Sequence, residues 1–290
     1  MHPDDIKYTA TLTPFGIWEW TVMPMGARNS LATHQRRVSH ALQEQIGKIC
    51  HIYLDDIVVW SASIEEHKEN IKKILDMLRD ANLYCSLKKL TLFTTDFTFL
   101  GHRISQCGIE ADPTKVDCIT KWPVPISAKE VCLFLGLIRY ISNFLSNLVE
   151  HTIVLNPLTR KECNSSFPTW TGEHQYAFNS IKKLVLSSEC LMTIDHKNPG
   201  KNKIFVTCNA SKRRMGSVLS FGTCWETAQP IAFESWALRG PELNYPVHEQ
   251  EMLSIVRALQ KWKTNLIGSH FIIYTDHETL QSFDVQKELL

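Results

Sequence analysis

His51-Ile52-Tyr53-Leu54-Asp55-Asp56-Ile57-Val58-Val59-Trp60 is the stretch on which the reading of this chain turns. Apolar residues flank a polar pair on both sides, the pattern of two short strands about an acidic turn. Side chains alternate along a strand, so adjacent aspartates at a hairpin aim in different directions. One can then coordinate a divalent cation while the other supports it. Carboxylate oxygens suit Mg²⁺, a hard ion, and displacement at a phosphate uses two ions to clamp the attacking and leaving oxygens. A bare Asp-Asp pair is more often just a solvated hairpin tip, so the surroundings have to decide.

Outward from this turn the pattern is regular. Ser63 followed by Glu66 makes a capping box. Ile64, Ile71, Ile74, Leu75 and Leu78 then recur at helical spacing, predicting a helix over 64–81. Phe97 to Ile104 reads as a further pair of strands. Pro113 opens a second region, interrupted at Pro123 and Pro125, with a helix expected across Glu130 to Leu145. The polar run Lys161 to Ser166 is the best linker, and helical periodicity returns from Trp170 to Leu186. From Lys203 the pattern becomes strands: Ile204–Cys208 with Gly216–Leu219 as a hairpin, and Gln229–Phe233 as a third. A helix carrying Met252, Ile255, Val256, Leu259 and Trp262 follows, then a strand at Phe271–Tyr274. Strand–strand–strand–helix–strand is α+β organisation.

The order of these motifs resembles the reverse transcriptases of gypsy-type LTR retrotransposons. Tyr53-Leu54-Asp55-Asp56, Glu65-Glu66-His67, Leu87-Lys88-Lys89 and Phe99-Leu100-Gly101-His102 follow the family's YLDD, eeH, KKC-x-F and FLGH. Upstream, Gly16, Glu19-Trp20, Val22-Met23-Pro24, Gly26, Asn29, Ala32-Thr33 and Gln35 fit G-x-x-E-W-x-V-M-P-F-G-L-x-N-A-P-A-T-F-Q. Downstream, Trp122-Pro123 and Phe134-Leu135-Gly136-Leu137 with Tyr140 fit the family's thumb. The resemblance implies that Asp55 and Asp56 are the metal-binding catalytic pair. It makes Lys89 the lysine that protonates the pyrophosphate leaving group, although an ordinary solvated lysine fits that position too. Gly26 and Gln35 match the segment lining the nucleotide and template side; Gly26 reads also as a turn residue.

A second set of acids resembles the family's RNase H-like domain, where four carboxylates hold two metals about a scissile phosphate. Glu251, in Glu251-Met252-Leu253-Ser254-Ile255-Val256, and Asp276, in Tyr274-Thr275-Asp276-His277, match the second and third of them. The first, in T-D-A-S, reads Cys208-Asn209-Ala210-Ser211 here. Asparagine offers a neutral carbonyl oxygen where a bridging anion is required. The family pattern would place one further palm aspartate before Met1 and the fourth RNase H aspartate after Leu290. Ser142 and Asn143 stand where the thumb usually carries arginines, which removes phosphate contacts. Met25, Leu31 and His34 are further departures beside the active-site segment.

Composition sets the outer limits. Hydrophobic residues at 44% and charged residues at 21% are those of an ordinary globular chain, and a net charge of +1 gives no basic excess for nucleic acid. No apolar run has the length of a membrane span, Met1-His2-Pro3-Asp4-Asp5 is no signal peptide, and nine cysteines without a C-x-x-C pair suggest neither zinc ribbon nor disulfide framework. An intracellular protein, cytoplasmic or nuclear and without membrane contact, is expected. The resemblance implies a partial palm over 1–105, a thumb and connection over 106–165 and an RNase H-like domain over 166–290. It implies Mg²⁺ or Mn²⁺ as weakly held cofactor, and an RNA or DNA template-primer with dNTPs as partners, with a complementing polypeptide left open. The expected function is RNA-directed DNA polymerase by descent, inactive as an isolated chain and without RNase H cleavage. The alternative is a non-catalytic remnant that binds nucleic acid or a partner.

Overall fold

The computed structural model describes residues 1–188, 190–196, 198–211, 213–277 and 280. It divides into two compact units, Met1–Thr94 and Thr95–Leu290.

In the first unit, strands β1 (Thr11–Thr13) and β2 (Gly16–Trp18) form a short hairpin. Helix α1 (Ser30–Ala41) follows. Sequence periodicity gave no helix there, because its only fully buried residue is Val38 and the rest of its surface is polar or half-exposed. Strands β3 (Cys50–Tyr53) and β4 (Asp56–Val59) are the expected pair about the acidic turn, in antiparallel register from Cys50↔Val59 to Tyr53↔Asp56. Helix α2 (Ile64–Asp80) starts where the capping box places it. Ser63 Oγ accepts the Glu66 N–H at 3.2 Å, and Glu66 Oε2 accepts the Ala62 N–H at 2.9 Å. Val38, Leu42, Cys50, Ile74 and Leu78 form the small core that joins α1, α2 and the hairpin.

The second unit begins with a three-stranded meander, β5 (Phe97–Phe99), β6 (His102–Ser105) and β7 (Gly108–Ala111). The sequence suggested two of these strands. The third is short, and Ile109 completes it by pairing with the distant Leu191, a contact no local pattern announces. Helix α3 (Pro113–Thr120) is capped by Asp112, whose carboxylate accepts the Thr114 N–H at 2.9 Å. Helix α4 (Ala128–Tyr140) ends before the expected Leu145, and a 3₁₀ turn at Ser142–Phe144 continues the chain. Helix α5 (Val149–Leu155) and the polar run, now a 3₁₀ turn at Lys161–Asn164, lead into α6 (Gly172–Leu186). Phe134 of α4 meets Phe178 of α6 with ring centroids 4.7 Å apart, at the centre of the larger core.

Strands β8 (Lys203–Ser211), β9 (Arg214–Gly222) and β10 (Gln229–Ala237) run antiparallel. Helix α7 (Val247–Lys261) and the short α8 (Lys263–Leu266) precede β11 (Phe271–Tyr274), which lies parallel to β8. The sheet order is β10-β9-β8-β11. A parallel neighbour needs a crossover, and α7 supplies it. Ile204, Val206 and Cys208 alternate onto the face that packs on Ile255, Ala258 and Trp262. The same alternation sets Thr207 and Asn209 on the other face, and the parallel register of β8 and β11 brings Asn209 beside Asp276. Mixed sheets with segregated helices make the chain α+β, as its patterning indicated.

Candidate carboxylate sites

The acidic turn is a two-residue loop, Leu54-Asp55, closing the β3–β4 hairpin. Leu54 sits at φ +54°, the left-handed conformation that such loops demand and that a leucine adopts only when held there. What holds it is Gln35 of α1, whose Oε1 accepts the Leu54 N–H at 2.5 Å. Gln35 Nε2 in turn donates to Ser39 Oγ at 3.0 Å, so the side chain is fixed at both ends. Asp55 projects into solvent, its side chain 83% exposed, with His34 Nε2 3.2 Å from Oδ1. Asp56 is exposed at the start of β4. Gly26 occupies a turn at φ +91°, a conformation that favours glycine, so the structure supplies the turn reading of that residue. Lys89 ends an exposed 3₁₀ turn at Leu87–Lys89 and has no ion pair among the described residues. The contact between His34 and Asp55 had no signal in the sequence.

The second set converges at one end of the β8–β11 pair. Thr207 and Tyr274 are parallel register partners, so Asn209 and Asp276 emerge side by side two residues further on. Asn209 Nδ2 points at Asp276 Oδ2, 3.4 Å away. Glu251, 3% exposed on α7, turns Oε1 to the Ala210 N–H at 2.7 Å. Its Oε2 is buried without a hydrogen bond. Burial pushes the Glu251 carboxyl above the ordinary range; the Ala210 N–H opposes this and the Asp276 charge adds to it. Beneath lies a small polar layer that sequence reasoning missed. Ser254 Oγ lies 3.4 Å from the Asn209 carbonyl and from Ser217 Oγ. Only residues apolar-aligned along α7 stood out in the sequence, and a serine among them carried no mark of its contact.

The two sets differ in their fitness for a cation. Asp55 and Asp56 are exposed oxygen donors on one hairpin, the donor chemistry Mg²⁺ and Mn²⁺ take. They fit as part of a metal site. The second set does not fit. A neutral amide that donates toward Asp276 stands where a cation would need an anionic ligand, and Glu251 already spends one oxygen on the backbone. Among the described residues no three His, Cys, Asp or Glu side chains cluster in a way that would hold a metal.

An acidic hairpin in one region and a mixed sheet with a helical crossover in another suit a reverse-transcriptase domain followed by an RNase H-like domain. Residues 1–104 match the family model described as reverse transcriptase (RNA-dependent DNA polymerase). Residues 200–290 match that of the RNase H-like domain found in reverse transcriptase. The chain is 34% identical, over 99% of its length, to the retrovirus-related Pol polyprotein from transposon 297 of Drosophila melanogaster. It is 35% identical, over 97% of its length, to that of transposon opus of the same species. It covers 26% and 28% of those two relatives, so it spans about a quarter of the polyproteins it matches. A foamy viral protease-reverse transcriptase solved in complex with dsDNA superposes with a TM-score of 0.85 at 26% identity, over 99% of this chain and 58% of that one. The same viral enzyme with an RNA/DNA hybrid gives a TM-score of 0.79 at 25% identity, over 100% and 39% of the two chains. The chain thus carries a reverse-transcriptase domain and an RNase H-like domain, and over nearly its whole length it is similar to the Pol polyproteins of gypsy-type transposons. Enzymes of these families work with divalent metal ions, and no helix of the described residues is long and apolar enough to cross a membrane.

Proposed function

We propose that this chain supplies the Asp55–Asp56 half of an RNA-directed DNA polymerase site and an RNase H-like domain that does not cleave RNA. The boundaries that suit this reading are a palm over 1–105, a thumb and connection over 106–165 and an RNase H-like domain over 166–290. Asp55 and Asp56 would hold Mg²⁺ or Mn²⁺, which when bound supplies charge to the reacting phosphates of a dNTP. The chain's own contribution is positional: Gln35 fixes Leu54, and Leu54 sets the direction of both carboxylates. Lys89, exposed and without an ion pair among the described residues, is free to donate a proton to a departing pyrophosphate. The template-primer is RNA or DNA, and intracellular localisation follows from that substrate.

The observation that carries the second half is the Asn209 amide aimed at Asp276. An amide donor satisfies Asp276 without a cation, which favours binding of nucleic acid or a partner over hydrolysis. Mn²⁺ titration followed by electron paramagnetic resonance tests both halves. The wild-type chain should bind weakly at one locus, and Asp55→Asn with Asp56→Asn should abolish that binding. Mn²⁺ binding that survives both substitutions would overturn the palm assignment. Metal-dependent cleavage of the RNA strand of a hybrid by the purified chain would overturn the rest.

A further inference from the structure

Within the second unit a cleft of about 1010 Å³ opens between α4 and α5 on one wall and β10 with the end of α7 on the other. Its ionisable lining consists of Arg139, Arg239, Arg257 and Lys261 against Glu234 and Glu242, so positive charge is in excess. The pairing is uneven. Arg257 reaches Glu242 Oε1 at 2.5 Å, and Lys261 Nζ lies 2.6 Å from Glu234 Oε2. Arg139 stands 3.7 Å from Glu234 Oε1, beyond hydrogen-bonding distance, with its side chain 65% exposed. Arg239 is exposed and has no carboxylate in ion-pair range among the described residues.

Glu234 is the organising group. Its side chain is 2% exposed, yet its Oε2 has only an ion contact with Lys261 and no directed hydrogen bond. A buried carboxylate must be compensated by charge. Here it draws in a cation from α4 and another from α7, and so holds two cationic elements at the cleft's edge. Arg257 and Lys261 are held in close pairs, whereas Arg139, only loosely drawn to Glu234, and Arg239 keep exposed guanidinium groups at the opening. Guanidinium forks match phosphate oxygens in two-point contacts. The cleft is open and has room for a ligand at least the size of a single nucleotide.

We propose that this cleft is a phosphate-binding site, separate from both carboxylate sets, with Arg139 and Arg239 as its contact residues and Glu234 as a positioning residue. The ligand carries two or more linked phosphates, either as a free nucleotide or as a strand of nucleic acid. Because the charge that reaches it is exposed, affinity is modest and falls with salt.

Isothermal titration of the full chain with inorganic tripolyphosphate, at matched ionic strength, tests this. Binding should weaken by about tenfold or more, the loss of roughly 1.4 kcal/mol, in Arg239→Ala, and further when Arg139→Gln is added. Arg239 has no described ion pair to break, so the variant should keep its melting temperature, and Arg239→Lys should retain part of the affinity. A single-stranded oligonucleotide that displaces tripolyphosphate identifies a strand as the source; a nucleoside triphosphate that displaces it where the oligonucleotide fails identifies a free ligand. No binding, or binding that is indifferent to Arg239→Ala and Arg139→Gln, overturns the proposal.

Discussion

At Asn209 one amide nitrogen stands where a cation's negative ligand would be, and the consequences can be reversed by a single substitution. Asn209→Asp would set three carboxylates, from β8, α7 and the segment after β11, around one point. Mn²⁺ should then raise the melting temperature of the variant while leaving the wild-type domain unmoved, since a ligand that binds only the folded state stabilises it by mass action. Equal response of the two chains would sink the idea. His102 carries a second residue-scale consequence. Its ring stacks on Tyr140 at 5.3 Å and 9°, and its Nδ1 is buried without a partner. Burial, then the charge of Lys115, hold its pKa below the ordinary 6.5, while Asp112 opposes them. The unfolded chain therefore takes up the proton first as pH falls. The stabilisation is complete above about 6.5 and is lost as pH drops through the lower folded value. His151, also lowered by burial, adds a slope of the same sign. Urea midpoints at about pH 7.5 and about pH 5 should differ less in His102→Phe than in wild type. An unchanged difference would show that His102 is not a source of the slope. Neighbouring Gly101 sits at φ +66°, where a side chain is strained, and a Cβ there would also displace the Lys115 ammonium and the Tyr140 hydroxyl, 2.3 Å and 2.7 Å away. The glycine of the FLGH motif is thus favoured by its backbone conformation.

Elements were legible where local chemistry and periodicity agreed. For α2 a cap, a first turn with Glu65 and Glu66 and an apolar stripe all point to one start, and the helix begins there. Ser63→Ala should cost about 1 kcal/mol, read from the shift in urea midpoint with unchanged slope; a loss near zero would mean that the Glu66 side chain alone suffices. The β3–β4 hairpin was legible for the same reason. Helix α1 was not, because its stability comes from tertiary contacts such as the Arg37 guanidinium on the Ala81 carbonyl at 3.0 Å. Strand β7 depends on Leu191, some eighty residues away in sequence. The candidate site shows the same division. Asp55, Asp56, Glu251 and Asp276 could be found because acidic residues in strand-turn contexts carry their chemistry in their type. The supports could not: the hold of Gln35 on Leu54 and the layer of Ser254 and Ser217 under Asn209 exist only once helices lie against strands.

Across the whole molecule, buried apolar surface is unequally shared. The first unit has five fully buried hydrophobic residues in its core, Val38, Leu42, Cys50, Ile74 and Leu78. The second has two larger clusters, one centred on Phe134 and Phe178 and the other between α7 and the sheet. Burying a large aliphatic or aromatic side chain contributes about 1.5–3 kcal/mol, so the first unit has far less to set against its chain entropy. It also exposes Leu12, Phe15, Ile17, Trp18 and Val22, and its β3–β4 sheet has two strands, each with an open edge. Exposed apolar surface beside unpaired strand edges invites self-association. The first unit should therefore open first on heating, and opening should lead to aggregation. Hydrogen exchange with mass spectrometry should show amides of β1, β2 and α1 exchanging well before those of α4, α6 and β8. Light scattering should rise at a temperature where near-ultraviolet signals of the Phe134–Trp122 cluster are still intact. A single cooperative transition of a monodisperse monomer, with uniform protection in both units, would show instead that the first unit gains stability beyond what its own core provides.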